Sequence, residues 1–175
     1  MAIGPVGAGK STLLRALDLC GDAPDSVRKT QNVEYHAEAV DTPGEAFEIP
    51  YLYHMLITSS TRASLILLLA DPTRKRTFPA RFAQSMRAPT VGVVSKIDIA
   101  DAEKTARAEK SLIHSGIRKV FRVSSVTGEG LDALRAFLRA NGPTPDPARQ
   151  GESTYRASHS SDPYPRLYSI NPFFR

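Results

Sequence analysis

Two short stretches of the chain, Leu65 to Ala70 and Thr90 to Ser95, are apolar almost without interruption. Runs of that length fit strands covered on both faces, as in a parallel sheet, better than strands with one face in water. Lys119 to Ser124 alternates instead, which places it nearer an edge. Ala102 to Ser115 and Leu131 to Ala140 carry apolar residues three and four positions apart, predicting amphipathic helices that cross between strands. Strand, turn and helix in repetition make an α/β fold: a doubly wound, mostly parallel sheet with helices on both faces. The first strand, Met1-Ala2-Ile3, is short against the five or six residues common in strands. The expectation is therefore that the chain lacks its first few residues and that this strand is truncated.

The pattern stops at Asn141. Residues 142–175 hold six of the thirteen prolines and no apolar period before the aromatic end Phe173-Phe174, so they read as a disordered tail behind a domain at 1–141. Over the whole chain, 41% hydrophobic and 23% charged residues are enough for a packed core and exclude global disorder. Cys20 is the single cysteine, so no internal disulfide forms, and a reducing cytoplasm is the natural setting. No apolar run approaches the roughly 20 residues of a membrane-spanning helix. The net charge of +5 is scattered, and its densest cluster, Arg74-Lys75-Arg76, reads as a solvated loop rather than a nucleic-acid tract. His36, His54, His114 and His159 lack metal-ligand spacing, and Asp71-Pro72 reads as a turn.

The chemistry begins at Gly4-Pro5-Val6-Gly7-Ala8-Gly9-Lys10-Ser11, which fits the phosphate-binding pattern G-x-x-x-x-G-K-[ST] and runs from Thr12 into a helix. Wrapping a polyphosphate in backbone N–H groups requires close approach and unusual dihedrals, hence Gly4, Gly7 and Gly9, with Ala8 and Thr12 completing the wrap. The helix N-terminus then faces the anion, Lys10 bridges the β- and γ-phosphates, and Ser11 ligates Mg²⁺. Asp41-Thr42-Pro43-Gly44 ends a second apolar stretch, so Asp41 can hold Mg²⁺ through water and the Gly44 N–H can sense the γ-phosphate. Ser95-Lys96-Ile97-Asp98 and Ser124-Ser125 end the later strands. The Asp98 carboxylate accepts from guanine N1–H and the 2-amino group, which adenine cannot offer, a preference of at least about tenfold. Lys96 lies along the base and ribose, and the Ser125 N–H reaches guanine O6.

Taken in order, these motifs resemble the translation-factor-type GTPases. Lys29 to Tyr35, Asp41 to Glu45, Ser95 to Asp98 and Val123 to Gly130 look like the EutP/PduV family, which is associated with bacterial microcompartments for ethanolamine and propanediol breakdown. The resemblance spans about Ile3 to Leu138. It implies a P-loop NTPase with a Ras-like G domain, and Thr30 as the switch threonine that closes on Mg²⁺ and the γ-phosphate. The catalytic set is then Lys10, Thr30 and Gly44, and the metal set Ser11, Thr30 and Asp41. The implied function is a slow, Mg²⁺-dependent switch that binds GTP and GDP, with ATP as the other nucleotide open to it. Two alternatives stand beside it: a kinase-like enzyme passing phosphate from ATP to a short acid such as acetate, and a non-catalytic recruitment module for microcompartment shell or cargo. In the last, Tyr164, Leu167, Tyr168, Phe173 and Phe174 of the tail serve as anchors.

Departures from the pattern carry their own expectations. Ser95 stands where guanine binders have Asn or Thr, which weakens a bond under the phosphate loop. Only ten residues separate Thr30 from Asp41, so the second strand is short or vestigial. Glu45 occupies the place of a water-orienting glutamine, where its charge repels the γ-phosphate and slows hydrolysis; as a first-turn helix residue it would point outward instead. Arg28 reads as a flexible loop residue rather than an arginine finger.

Overall fold

The run at Leu65 to Ala70 is a buried strand whose side chains divide between two cores. Ile66, Leu68 and Ala70 enter one and Leu65, Leu67 and Leu69 the other, as the two-residue period of an extended chain requires. The computed structural model describes residues 1–19, 34–35 and 40–141. The chain divides into two units, Met1–Gly142 and Pro143–Arg175, and the described residues belong to the first. Cys20, Arg28, Thr30, His36, His159 and the 142–175 tail lie outside them.

Strands β1 (Ala2–Ile3), β2 (Glu34–Tyr35), β3 (Val40–Asp41), β4 (Ile66–Ala70), β5 (Thr90–Val94) and β6 (Val120–Arg122) form one sheet in the order β2-β3-β1-β4-β5-β6. Neighbours run parallel except β2 and β3, so the second strand is the short remnant that the close spacing of Thr30 and Asp41 predicts. The alternating strand β6 lies at the edge. Helices α1 (Lys10–Ala16) and α5 (Leu131–Asn141) bring Leu13, Leu14, Leu131 and Leu134 onto the Leu67 face of the sheet. Helices α2 (Gly44–Glu48), α3 (Tyr53–Ser60) and α4 (Ala102–His114) bring Phe47, Leu56, Ala108 and Leu112 onto the Leu68 face. This is the Ras-like, doubly wound α/β arrangement.

The periodicity that reveals α4 and α5 is missing from α2 and α3. Residues 45–50 are nevertheless mostly helical, because the rest of the molecule holds them. Phe47 is buried against Phe78 and Phe82, with ring centroids 4.9 and 5.4 Å away, and Tyr53 meets Phe82 edge to face at 5.0 Å. Aromatic pairs in this range contribute about 0.5–1.5 kcal/mol each beyond their burial.

From β1 the chain crosses to β3 on one side and later to β4 on the other. The strand order therefore reverses at the C-terminal end of β1, the crevice where open α/β sheets take their ligands. The loop after Ile3 occupies it.

Because the sheet separates the two cores, substitutions on opposite faces are expected to act independently. Ile66→Val should cost about 0.5–1.5 kcal/mol and Leu134→Ala about 2–5 kcal/mol, and in urea titrations the double variant should equal their sum within about 0.5 kcal/mol. A larger discrepancy would show that the two faces are coupled.

Candidate functional site

The carbonyls of the Gly4–Gly9 turn find their donors in other parts of the fold. Gly9, at φ 84°, turns the chain into α1. Lys10 is buried, and its Nζ donates to Gly4 O and Pro5 O, both at 3.0 Å. Burial pulls the Lys10 pKa below the ordinary lysine value, against the charges of Asp41, Glu45 and Glu48, which raise it. Ser95 Oγ donates to Ala8 O at 2.8 Å and also lies 3.1 Å from Ala70 O. The bond beneath the phosphate loop, expected to be weakened by serine, is thus made: β5 brings its end close enough for a one-carbon hydroxyl to reach.

Asp41 closes β3, with its backbone opposite Ala2 in the sheet, and Ser11 Oγ donates to its Oδ2 at 2.5 Å. The next residue, Thr42, ties the strand end to β1 through Oγ1 on Ala2 O at 2.7 Å. Gly44 opens α2 in contact with the loop itself: a Cβ there would lie 2.4 Å from Val6 Cα, so only glycine permits this approach. From the last turn of α2, Glu48 Oε1 accepts the Val6 N–H at 3.1 Å. Glu45 sits half-buried in the first turn, the helical position foreseen for it, yet its charge still acts on Lys10.

Arg74-Lys75-Arg76 is not simply a solvated loop. Arg74 Nη1 donates to Val6 O at 2.9 Å, and Arg76 Nη2 donates to Glu48 O at 3.1 Å. Sequence reasoning missed both, since each contact spans many residues and no local spacing announces it. The turn that starts this segment is Asp71, whose side chain is wholly buried. Its Oδ1 accepts from Thr73 N at 2.9 Å and Thr73 Oγ1 at 2.5 Å, and its Oδ2 from Lys96 Nζ at 2.8 Å. Burial pushes the Asp71 carboxyl up, but hydrogen bonds from Lys96 and Thr73 outweigh it and hold its pKa below the usual carboxylate range.

The residues assigned to the base lie at the ends of β5 and β6. Lys96 adopts φ 54° and pairs with Asp71 rather than Asp98, while Asp98 is exposed. Ile97 N–H donates to Val123 O, linking the two loops. Ser124 is fully buried, and its Oγ accepts from the amides of Val126 and Thr127 at 3.2 and 3.1 Å, which shapes the loop that carries half-buried Ser125. Among the described residues no helix is long and apolar enough to cross a membrane, and no cluster of three His, Cys, Asp or Glu side chains is placed to hold a metal.

A carboxylate with a lowered pKa stabilises the fold above its unfolded pKa, and that contribution disappears as pH falls through the folded value. Asp71→Asn should therefore destabilise the protein by about 1–3 kcal/mol at pH 7. By urea unfolding the gap to wild type should shrink as the pH drops below about 4. A gap that persists undiminished at low pH would show that the Asp71 charge is not what matters.

Comparison with known proteins agrees with this layout. Residues 1–140 match the family model for PduV–EutP, described as ethanolamine utilisation and propanediol utilisation. The chain is 33% identical over 141 residues to the propanediol utilization protein PduV of Citrobacter freundii, covering 80% of this chain and 92% of that one. It is 34% identical over 159 residues to the Salmonella typhimurium protein named probable acetate kinase EutP, covering 89% and 96%. Among solved structures it is similar to the translation elongation factor SelB of Methanococcus maripaludis, with a TM-score of 0.54 at 20% identity, over 82% of this chain and 34% of that longer one. The chain belongs to the PduV–EutP family.

Proposed function

We propose that this member of the PduV–EutP family is a Mg²⁺-dependent P-loop nucleotide hydrolase, a slow GTPase switch serving ethanolamine or propanediol utilisation and associated with its microcompartments. The observation that carries the reading is the assembly of Lys10, Ser11, Asp41 and Gly44 around one phosphate-type loop at the sheet's switch point. Gly4, Gly7, Ala8, Gly9 and Thr12 complete the backbone wrap, and Lys96, Asp98, Ser124 and Ser125 receive the base. The Ser11 hydroxyl and the Asp41 carboxylate are hard oxygen donors that suit Mg²⁺, with Thr30 a further ligand by family resemblance. Bound there, the ion would neutralise charge developing between the β- and γ-phosphates. The chain's own part is positional: Lys10 offsets phosphate charge, and the Gly44 N–H at the start of α2 registers the γ-phosphate. Glu48 on the Val6 N–H and Glu45 near Lys10 add negative charge on the same side, which supports slow turnover.

A second reading keeps the site and changes the acceptor from water to a short carboxylate. It is favoured by the EutP relatives named probable acetate kinase and by Arg74, which the fold brings to the loop, with Arg76 beside it on Glu48 O. Fluorescent GDP, GTP, ADP and ATP titrated with Mg²⁺ against wild type and Asp98→Ala separate the two. The GTPase reading expects a guanine preference of at least about tenfold that Asp98→Ala abolishes. Equal binding of ATP, unaffected by Asp98→Ala, together with acetate-dependent ADP release, would transfer the assignment to the kinase.

Removing the carboxylate charge beside the loop should also favour the more charged ligand. Glu48→Gln is expected to bind nucleoside triphosphate about three- to tenfold tighter, with a smaller gain for diphosphate. Equal gains for both would place Glu48 away from the γ-phosphate.

A further inference from the structure

Three carboxylates, Asp41, Glu45 and Glu48, act on Lys10, so the γ-phosphate side of the loop is poor in positive charge for a step that builds negative charge on the leaving oxygen. One guanidinium is already there. Arg74 Nη1 lies 2.9 Å from Val6 O, and a Cβ built on Gly7 would meet Arg74 Nη2 at 3.0 Å and Cζ at 3.5 Å, so the planar head covers the loop between Val6 and Gly7. That is also the part of the loop against which Gly44 packs, and Gly44 is the residue assigned to the γ-phosphate.

The root of Arg74 is fixed by its backbone, and its exposed head is held through Val6 O. Its backbone N–H donates to Asp71 O at 3.2 Å, and Asp71 is itself held by Thr73 and Lys96. The side chain is 51% exposed, and its Nε stands 3.9 Å from Asp71 Oδ2, too long for a hydrogen bond. A contact of that kind restrains the head weakly. The donors that Val6 O does not use can therefore turn to a ligand without a buried ion pair being broken.

We infer that Arg74 is a catalytic residue: an arginine supplied from within the chain, by the turn after β4, to the phosphoryl group in transfer. In the step, the bond between the γ-phosphorus and the β–γ bridging oxygen breaks, and its electron pair stays on the departing diphosphate. The acceptor oxygen bonds to phosphorus, and when the acceptor is water its proton passes to solvent or to the phosphate released. Arg74 N–H groups donate to the bridging and γ-oxygens as charge accumulates on them, which binds the transition state more tightly than the ground state. The inference rests on the nucleotide reading of this site and holds for either acceptor.

The test uses the full chain, wild type, Arg74→Ala and Arg74→Lys, with Mg²⁺ and whichever triphosphate the wild type turns over. Single-turnover rate, diphosphate affinity, binding of diphosphate with aluminium fluoride, and the urea midpoint are read on each. The expected result is a rate about a hundredfold lower in Arg74→Ala, with diphosphate affinity and midpoint held, the fluoride complex lost and no rescue by lysine, whose single ammonium lacks the planar fork. A rate within about threefold of wild type, or a rate and a diphosphate affinity that fall in parallel, would overturn it and leave Arg74 as a clip on Val6 O. If the wild type turns over no triphosphate, the nucleotide reading itself fails, and this inference with it.

Discussion

A loop that turns its N–H groups toward an anion leaves its carbonyls to be satisfied by the rest of the protein, and much of the site follows from that demand. Buried carbonyls without donors would each cost on the order of 1–3 kcal/mol. Here the buried Gly4 O and Pro5 O take the Lys10 ammonium and the buried Ala8 O takes Ser95, while Val6 O takes Arg74 on the exposed side and Gly9 O takes the amide of Leu13. The donors come from α1, from the turn after β4 and from the end of β5. The loop is thereby keyed to three separate elements, and the strand order that opens the crevice also delivers the groups that shape it.

Much of this was legible in the residues. The apolar runs of β4 and β5 and the spacing in α4 and α5 declare themselves because each is a local pattern long enough to have a period. The phosphate loop, Asp41, Gly44 and Ser95 are likewise carried by short strings whose chemistry is specific. Helices α2 and α3 are different: they are short, lack a clear stripe, and owe their place to Phe47, Tyr53, Phe78 and Phe82 meeting from distant parts of the chain. The contact of Arg74 with the phosphate loop was hidden for the same reason. Its partner lies 68 residues away, and a basic triplet looks alike in sequence whether it faces water or a phosphate loop.

The pair of buried Asp71 and half-buried Lys96 shows how the end of β5 and the segment after β4 become one structure. Lys96 holds a left-handed backbone, φ 54°, which a side chain rarely adopts without compensation. Its ammonium on Asp71 supplies that compensation, and Asp71 in turn roots the segment that reaches the loop. A residue at the end of β5 thus bears on the position of the arginine that covers the loop.

The sheet's two cores have a consequence for how such a protein drifts over generations. The cluster under α1 and α5 shares no buried side chain with the cluster under α2, α3 and α4. A volume change accepted on one face need not be answered on the other, so neutral substitutions can accumulate on the α1 and α5 face while Gly44 and the aromatic group hold α2 against the loop. Relatives that share only about a third of their residues with this chain leave ample room for such drift.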